Sequence, residues 1–121
     1  MMHFTLEQLT LILAILVRTE LRGDSIQTNT QHAIHCLEQI VRISRMLADP
    51  ERDVPDRRRR DGQICANYGR LQEILDGIGG MDRWWNTFHP LWTNQDYAGL
   101  DRIAREYAEE FELPLNPQNF L

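Results

Sequence analysis

Residues 57–60 are four consecutive arginines flanked by Asp56 and Asp61, the densest run of charge in the chain. Guanidinium groups present rigid forks of donors that match phosphate and carboxylate oxygens, so Arg57, Arg58, Arg59 and Arg60 are candidates for nucleic-acid contact. On a helix, successive side chains point about 100° apart and four in a row cannot meet one ligand surface; in a loop they can. Five acids, Asp49, Glu51, Asp53, Asp56 and Asp61, balance the five arginines of residues 49–62. A solvated, charge-balanced turn is therefore the first expectation for this run, and a phosphate-binding hand the second.

Other residue types raise other chemistries. His32 and Cys36 stand four apart, with His35 between them, a spacing at which helices present metal ligands. A complete set would need Cys65 or His89 as well. A buried thiol beside exposed histidines is the plainer expectation, and neither a metal nor another cofactor is assigned. Glu73 with Asp76, and Glu106 with Glu109, are carboxylate pairs three apart that could hold Mg²⁺ in a nucleotide hydrolase. All four fall opposite the apolar stripes of their segments, where carboxylates are simply solvated. Arg83 and His89 stand six apart, a loose spacing for acid–base work. The chain has no GxSxG, no glycine-rich phosphate loop and no cysteine at a helix start. The expected function is non-enzymatic.

Aromatic residues supply the strongest recognition signal. Trp84, Trp85, Phe88, Trp92 and Tyr97 fall within fourteen positions, and tryptophan and tyrosine dominate binding hot spots. Adjacent Trp84 and Trp85 cannot both face inward on a regular helix, so one of them reaches the surface or another chain. Further along, Asp101, Glu106, Glu109, Glu110 and Glu112 form an acidic surface interleaved with Arg102 and Arg105. Trp84, Trp85, Phe88, Trp92, Asp101, Glu106, Glu109 and Glu110 are the expected partner-binding residues.

The elements that position these groups read as helices. Thr5 followed by Gln8 makes a capping box, Phe4 and Leu9 a hydrophobic staple, and Gly23 a helix end. The helix between them is apolar around most of its circumference, which suits a central position or a homodimer contact. A second helix is expected from Ser25 or Thr30 to Ala48, with Ile34, Leu37, Ile40, Val41 and Leu47 inward. A third carries Ile64, Tyr68, Leu71, Leu75 and Ile78 and ends at Gly79–Gly80, forming an antiparallel hairpin with the second. The segment 81–92 reads as a short helix or turn broken at Pro90. Thr93 with Asp96 caps a last helix with Tyr97, Leu100, Ile103, Ala104, Tyr107 and Phe111 inward, followed by an extended tail with two prolines. The fold class is all-α, a bundle of four or five helices in one domain over residues 1–121.

Composition bounds the remaining choices. The 121 residues carry a net charge of −5, with all thirteen basic residues arginine and no lysine. Arginine for lysine throughout fits GC-rich codon usage, or avoidance of lysine modification. The excess acidity lies in residues 93–121, six acids against two arginines, a poor basis for a broad DNA-binding face. The apolar run Leu9–Val17 is too short to span a bilayer, and two cysteines make no disulfide framework. These features lead to a cytoplasmic helical interaction module, an inhibitor, adaptor or immunity-type protein such as a phage antagonist of host defence. Its partner is a protein of unknown identity, and the membrane plays no part. A nucleic-acid-binding regulator using Arg57–Arg60 ranks second, and a metal-dependent nucleotide hydrolase third.

Overall fold

The computed structural model describes residues 5, 6, 8, 9, 26–74 and 80–121, all helix, turn or tail. Among the described residues four helices are bounded, in chain order: α1 (Ile26–Leu47), α2 (Arg57–Ile74), α3 (Gly80–Thr93) and α4 (Tyr97–Glu110). A single 3₁₀ turn, Pro117–Asn119, lies in the tail. The chain is a small all-α bundle, and none of its described helices is long and apolar enough to cross a membrane.

α1 is the central element. It packs against α2, against α4 and against the tail's 3₁₀ turn. Ala33, Cys36, Leu37, Ile40, Val41, Ile43 and Leu47 are all buried, an apolar surface wider than one stripe because two helices cover it. Ile34, expected inside, is only half-buried. α2 contributes Ile64, Tyr68 and Leu71, and α4 contributes Leu100, Ile103, Ala104, Tyr107 and Ala108. α3 adds Trp84 and Phe88, whose rings reach into the same core.

At the N-terminus the expected capping box forms. Thr5 N–H donates to Gln8 Oε1 at 2.7 Å, and Gln8 N–H donates back to Thr5 Oγ1 at 3.1 Å. The staple partner Phe4, Gly23 and the body of that helix lie outside the described residues, as do Leu75, Ile78, Gly79 and Asp76. The homodimer contact assigned to that helix therefore rests on its sequence.

Three expectations about helix ends need correction. The arginine run is not a loop: α2 begins at Arg57, so the four guanidinium groups fan around a helix. Pro90 does not break α3, which continues to Thr93. Pro90 sits in the last turn, where its missing N–H costs one hydrogen bond and its exposed flank leaves a carbonyl to water. Thr93 is the last residue of α3 rather than a cap; Asp96 itself caps α4, its Oδ1 accepting Gly99 N–H at 3.0 Å.

α3 and α4 end in Schellman motifs without glycine. Gln95 has φ 54° while Asp96 N–H donates to Leu91 O at 2.8 Å; Glu112 has φ 53° while Leu113 N–H donates to Ala108 O at 2.7 Å. These left-handed residues turn the chain sharply from α3 into α4 and from α4 into the tail. The tail is not fully extended, because Asn116 Oδ1 accepts Gln118 N–H at 3.1 Å and starts the 3₁₀ turn.

Candidate interaction face

The expected partner-binding aromatics divide by position on α3. Trp84 and Phe88 are core residues, 8% and 1% exposed. Phe88 stacks on Tyr68 with ring centres 3.9 Å apart, and Trp84 meets Tyr107 edge-on at 4.8 Å. Trp85 and Trp92 are half-buried and His89 is exposed. Positions 85, 89 and 92 follow helical spacing, and their rings form one row, Trp85 to His89 at 5.2 Å and His89 to Trp92 at 6.3 Å. Inward rings brace the first of them: Tyr68 lies 5.4 Å and Phe88 6.0 Å from Trp85. Placing adjacent Trp84 and Trp85 on different faces follows from the 3.6-residue period.

The row ends at Asp61. Trp92 Nε1 donates to the Asp61 backbone carbonyl at 3.3 Å, and Tyr97 OH donates to Asp61 Oδ1 at 3.0 Å. One aspartate on α2 thus ties down the end of α3 and the start of α4. Burial, and then the hydrogen bond and negative charge of Asp61, push the Tyr97 hydroxyl up to about 12. Asp61 and Tyr97 also line a cleft of about 600 Å³, whose other walls include Leu47, Pro50, Arg58 and Gln95.

The arginine run is split by its helix. Arg57 turns back onto the end of α1, its Nη1 donating to Leu47 O at 3.2 Å and its Nη2 to Arg52 O at 2.9 Å and to Asp49 O. It satisfies the last carbonyl of α1 together with two carbonyls of the following turn and is a structural clamp. Arg58 and Arg59 are exposed, and Arg60 donates from Nη1 to Gln63 Oε1 at 3.1 Å. The four do not converge.

The acidic candidates on α4 are also divided. Asp101 is engaged within the fold, 3.2 Å from Arg45 Nε and 2.9 Å from Arg105 Nε. Glu106 stands 3.9 Å from Arg102 in an exposed pair that contributes little. Glu109 and Glu112 are exposed and Glu110 is half-buried.

His32 and His35 are exposed while Cys36 is buried, so the three do not share a surface. Burial pushes the Cys36 thiol up, with Arg70 pulling partly back; burial and then Asp61 push Cys65 up. Neither sulfur is held as a thiolate. Among the described residues no three histidine, cysteine or carboxylate side chains converge as a metal set. Glu73 is exposed on α2, far in sequence from the exposed Glu106 and Glu109 of α4.

Sequence reasoning missed Glu38. This buried carboxylate, 4% exposed on α1, accepts Asn116 N–H at 2.6 Å and Asn119 Nδ2–H at 3.1 Å and fastens the tail. The available signal was an acid set within the apolar circumference of α1, together with two asparagines in the tail. No protein-family profile matches the chain, and no curated protein or solved structure matches it.

Proposed function

We propose that the chain is a non-enzymatic helical interaction module that docks a protein partner along the Trp85–His89–Trp92 row of α3. The single observation that supports this reading is the row itself: three consecutive rings, His89 exposed and Trp85 and Trp92 half-buried, with Trp85 braced from within by Tyr68 and Phe88. Rigid aromatic side chains offer large contact area at little entropic cost, which is why they dominate binding energies. The cleft beside Asp61 and Tyr97 gives the same face a socket for one partner side chain. An inhibitor, adaptor or immunity-type role is the form such docking would take.

The test compares recovery of crosslinked partners from cells of the protein's own source. The baits are the tagged wild type, Trp85→Ala, Trp92→Ala and the α4 surface control Arg102→Ala, each checked for folding by circular dichroism. Phe88→Ala serves as the core control, expected to cost about 3–5 kcal/mol of stability. A nuclease-resistant protein recovered by wild type and Arg102→Ala, but lost in folded tryptophan variants, supports the proposal. Equal recovery by all folded baits removes α3 as the interface.

Self-association is part of the same proposal. Leu6 is 82% and Leu9 44% exposed, and apolar residues so placed next to the capping box favour a second copy of the N-terminal helix as their cover. Light scattering is expected to give a dimer for wild type and a monomer for Leu6→Asp.

A further inference from the structure

We infer that the groove between α1 and α2 binds the phosphodiester backbone of a nucleic-acid strand, a site separate from the aromatic row of α3. The groove has a volume of about 400 Å³, and none of the eight residues lining it is acidic, in a chain with net charge −5. Ile43 and Ala66 lie between its polar walls. Arg60 stands near the hairpin turn, while Arg70 and His35 stand towards the other end. Gln39, Gln63 and Asn67 supply amides between them.

The arginines of this groove differ from those of α4. Arg45 and Arg105 are paired with Asp101, and Arg102 with Glu106. Arg60 and Arg70 have no carboxylate partner among the described residues. The hydrogen bond from Arg60 Nη1 to Gln63 Oε1 sets the guanidinium along the groove without neutralising it. Asn67 is fixed in turn by donating to Gln63 O at 2.8 Å. Arg42 and Arg52 line a separate depression with Arg45, Met46 and Phe120, and are not part of this groove.

Length selects the occupant. Ten residues of helix separate Arg60 from Arg70, about 15 Å, so a single phosphate cannot bridge them. A strand carries one phosphate per nucleotide, so successive phosphates of a short strand can meet both ends of that span. Arginine and amide side chains contacting phosphate and sugar position a strand without reading its sequence. The acids of the turn and of α4 oppose a polyanion at long range, but at 0.1 M salt charges beyond about 10 Å are largely screened. Contacts inside the groove are not.

The experiment is fluorescence anisotropy of labelled single-stranded DNA and RNA oligonucleotides with the full chain, across a salt series. Affinity is expected to fall with salt, with Arg60→Gln and Arg70→Gln each reducing the log–log slope by about 0.7. Arg102→Gln on α4 is expected to leave the slope unchanged. Equal binding of both strands assigns the shared backbone; preference for RNA assigns ribose hydroxyl contacts in the same groove. Absence of binding at low salt, a slope indifferent to Arg60 and Arg70, or equal displacement by polyglutamate at matched charge would overturn the inference. Because the α3 variants Trp85→Ala and Trp92→Ala leave this groove intact, strand binding and protein docking can fail independently.

Discussion

The Glu38 carboxylate, on the buried face of α1, accepts the backbone N–H of Asn116 at 2.6 Å across a sequence separation of 78 residues. With Asn119 Nδ2–H on its other oxygen, it is the polar anchor of a tail otherwise held by Leu113, Leu115 and Phe120, over whose ring Arg45 sits at 4.9 Å. Glu38→Ala is expected to cost about 1.5–3 kcal/mol, the usual worth of hydrogen bonds to a charged group. Glu38→Gln retains one acceptor oxygen and should cost less. Urea unfolding measures both, and protease cleavage near Asn116 should accelerate in the alanine variant alone. Resistance of the tail to cleavage in Glu38→Ala would mean that its apolar contacts suffice to hold it.

Arg57 and Arg58 are adjacent arginines with opposite fates. Arg57 closes the α1–α2 turn on three carbonyls, whereas Arg58 is exposed. Arg57→Ala is expected to lose about 1–3 kcal/mol, since it strips donors from the last carbonyl of α1 and from two carbonyls of the turn. Arg57→Lys should recover little, because an ammonium cannot reproduce a planar fork reaching three acceptors. Arg58→Ala should stay within about 0.5 kcal/mol of wild type. Equal losses at the two positions would show that the run acts only through its summed charge.

Helical periodicity made the bundle legible, because Leu37, Ile40 and Val41, Ile64 with Tyr68 and Leu71, and Leu100 with Ile103 and Tyr107 repeat at the spacing their burial requires. Helix ends were harder to read. Gln95 and Glu112 adopt the conformation that glycine usually marks, and Pro90 lies in a turn that tolerates it. At the candidate face, sequence supplied the aromatic cluster but not its division, since which of two adjacent tryptophans faces inward depends on where α3 sits against α2 and α4. The clamp of Arg57 and the anchor of Glu38 depend on contacts between distant segments, and no local pattern announces them. The acid-free groove arises in the same way, from stripes on two helices that only the hairpin brings together.

Tyr97 makes stability depend on alkaline pH. Its hydroxyl is raised from the ordinary value of 10 to about 12, chiefly by burial and then by Asp61. Between those values the unfolded chain has released the proton that the folded chain retains. Stability is therefore full below pH 10 and falls as pH rises towards 12. Tyr97→Phe removes this tyrosine's share, so the wild-type curve should fall more steeply than the variant's over that window. Parallel curves would show that Tyr97 titrates as in the unfolded chain.

Glycines inside helices should respond in opposite directions to alanine. A Cβ at Gly62 or Gly69 of α2 meets nothing within 4 Å, so alanine should raise stability by about 0.5–1 kcal/mol at each. At Gly99 the same atom would come within 2.6 Å of Asp96 Oδ2 and 2.9 Å of Leu91 Cδ2. Asp96 is held there by accepting Gly99 N–H, so relieving the clash disturbs the cap of α4. Gly99→Ala should lower the thermal midpoint while the α2 substitutions raise it. A gain at Gly99 would mean that the Asp96 carboxylate can move aside without loss of the cap.

Gln95 and Glu112 offer the reverse substitution. Each occupies the left-handed region at φ 54° and 53°, where a side chain costs about 1–2 kcal/mol. Glycine removes that strain but leaves more entropy in the unfolded chain, about 0.5–1 kcal/mol, so a net gain of up to about 1.5 kcal/mol is expected. The two sites then separate stability from recognition. Glu112 lies outside the cleft beside Asp61, whereas Gln95 lines it. Glu112→Gly should raise the midpoint of urea unfolding and leave partner recovery unchanged. Gln95→Gly should raise the midpoint similarly but weaken recovery, because it removes a cleft wall. Weakened recovery in both variants would trace the loss to the helix ends and take the cleft out of the docking face.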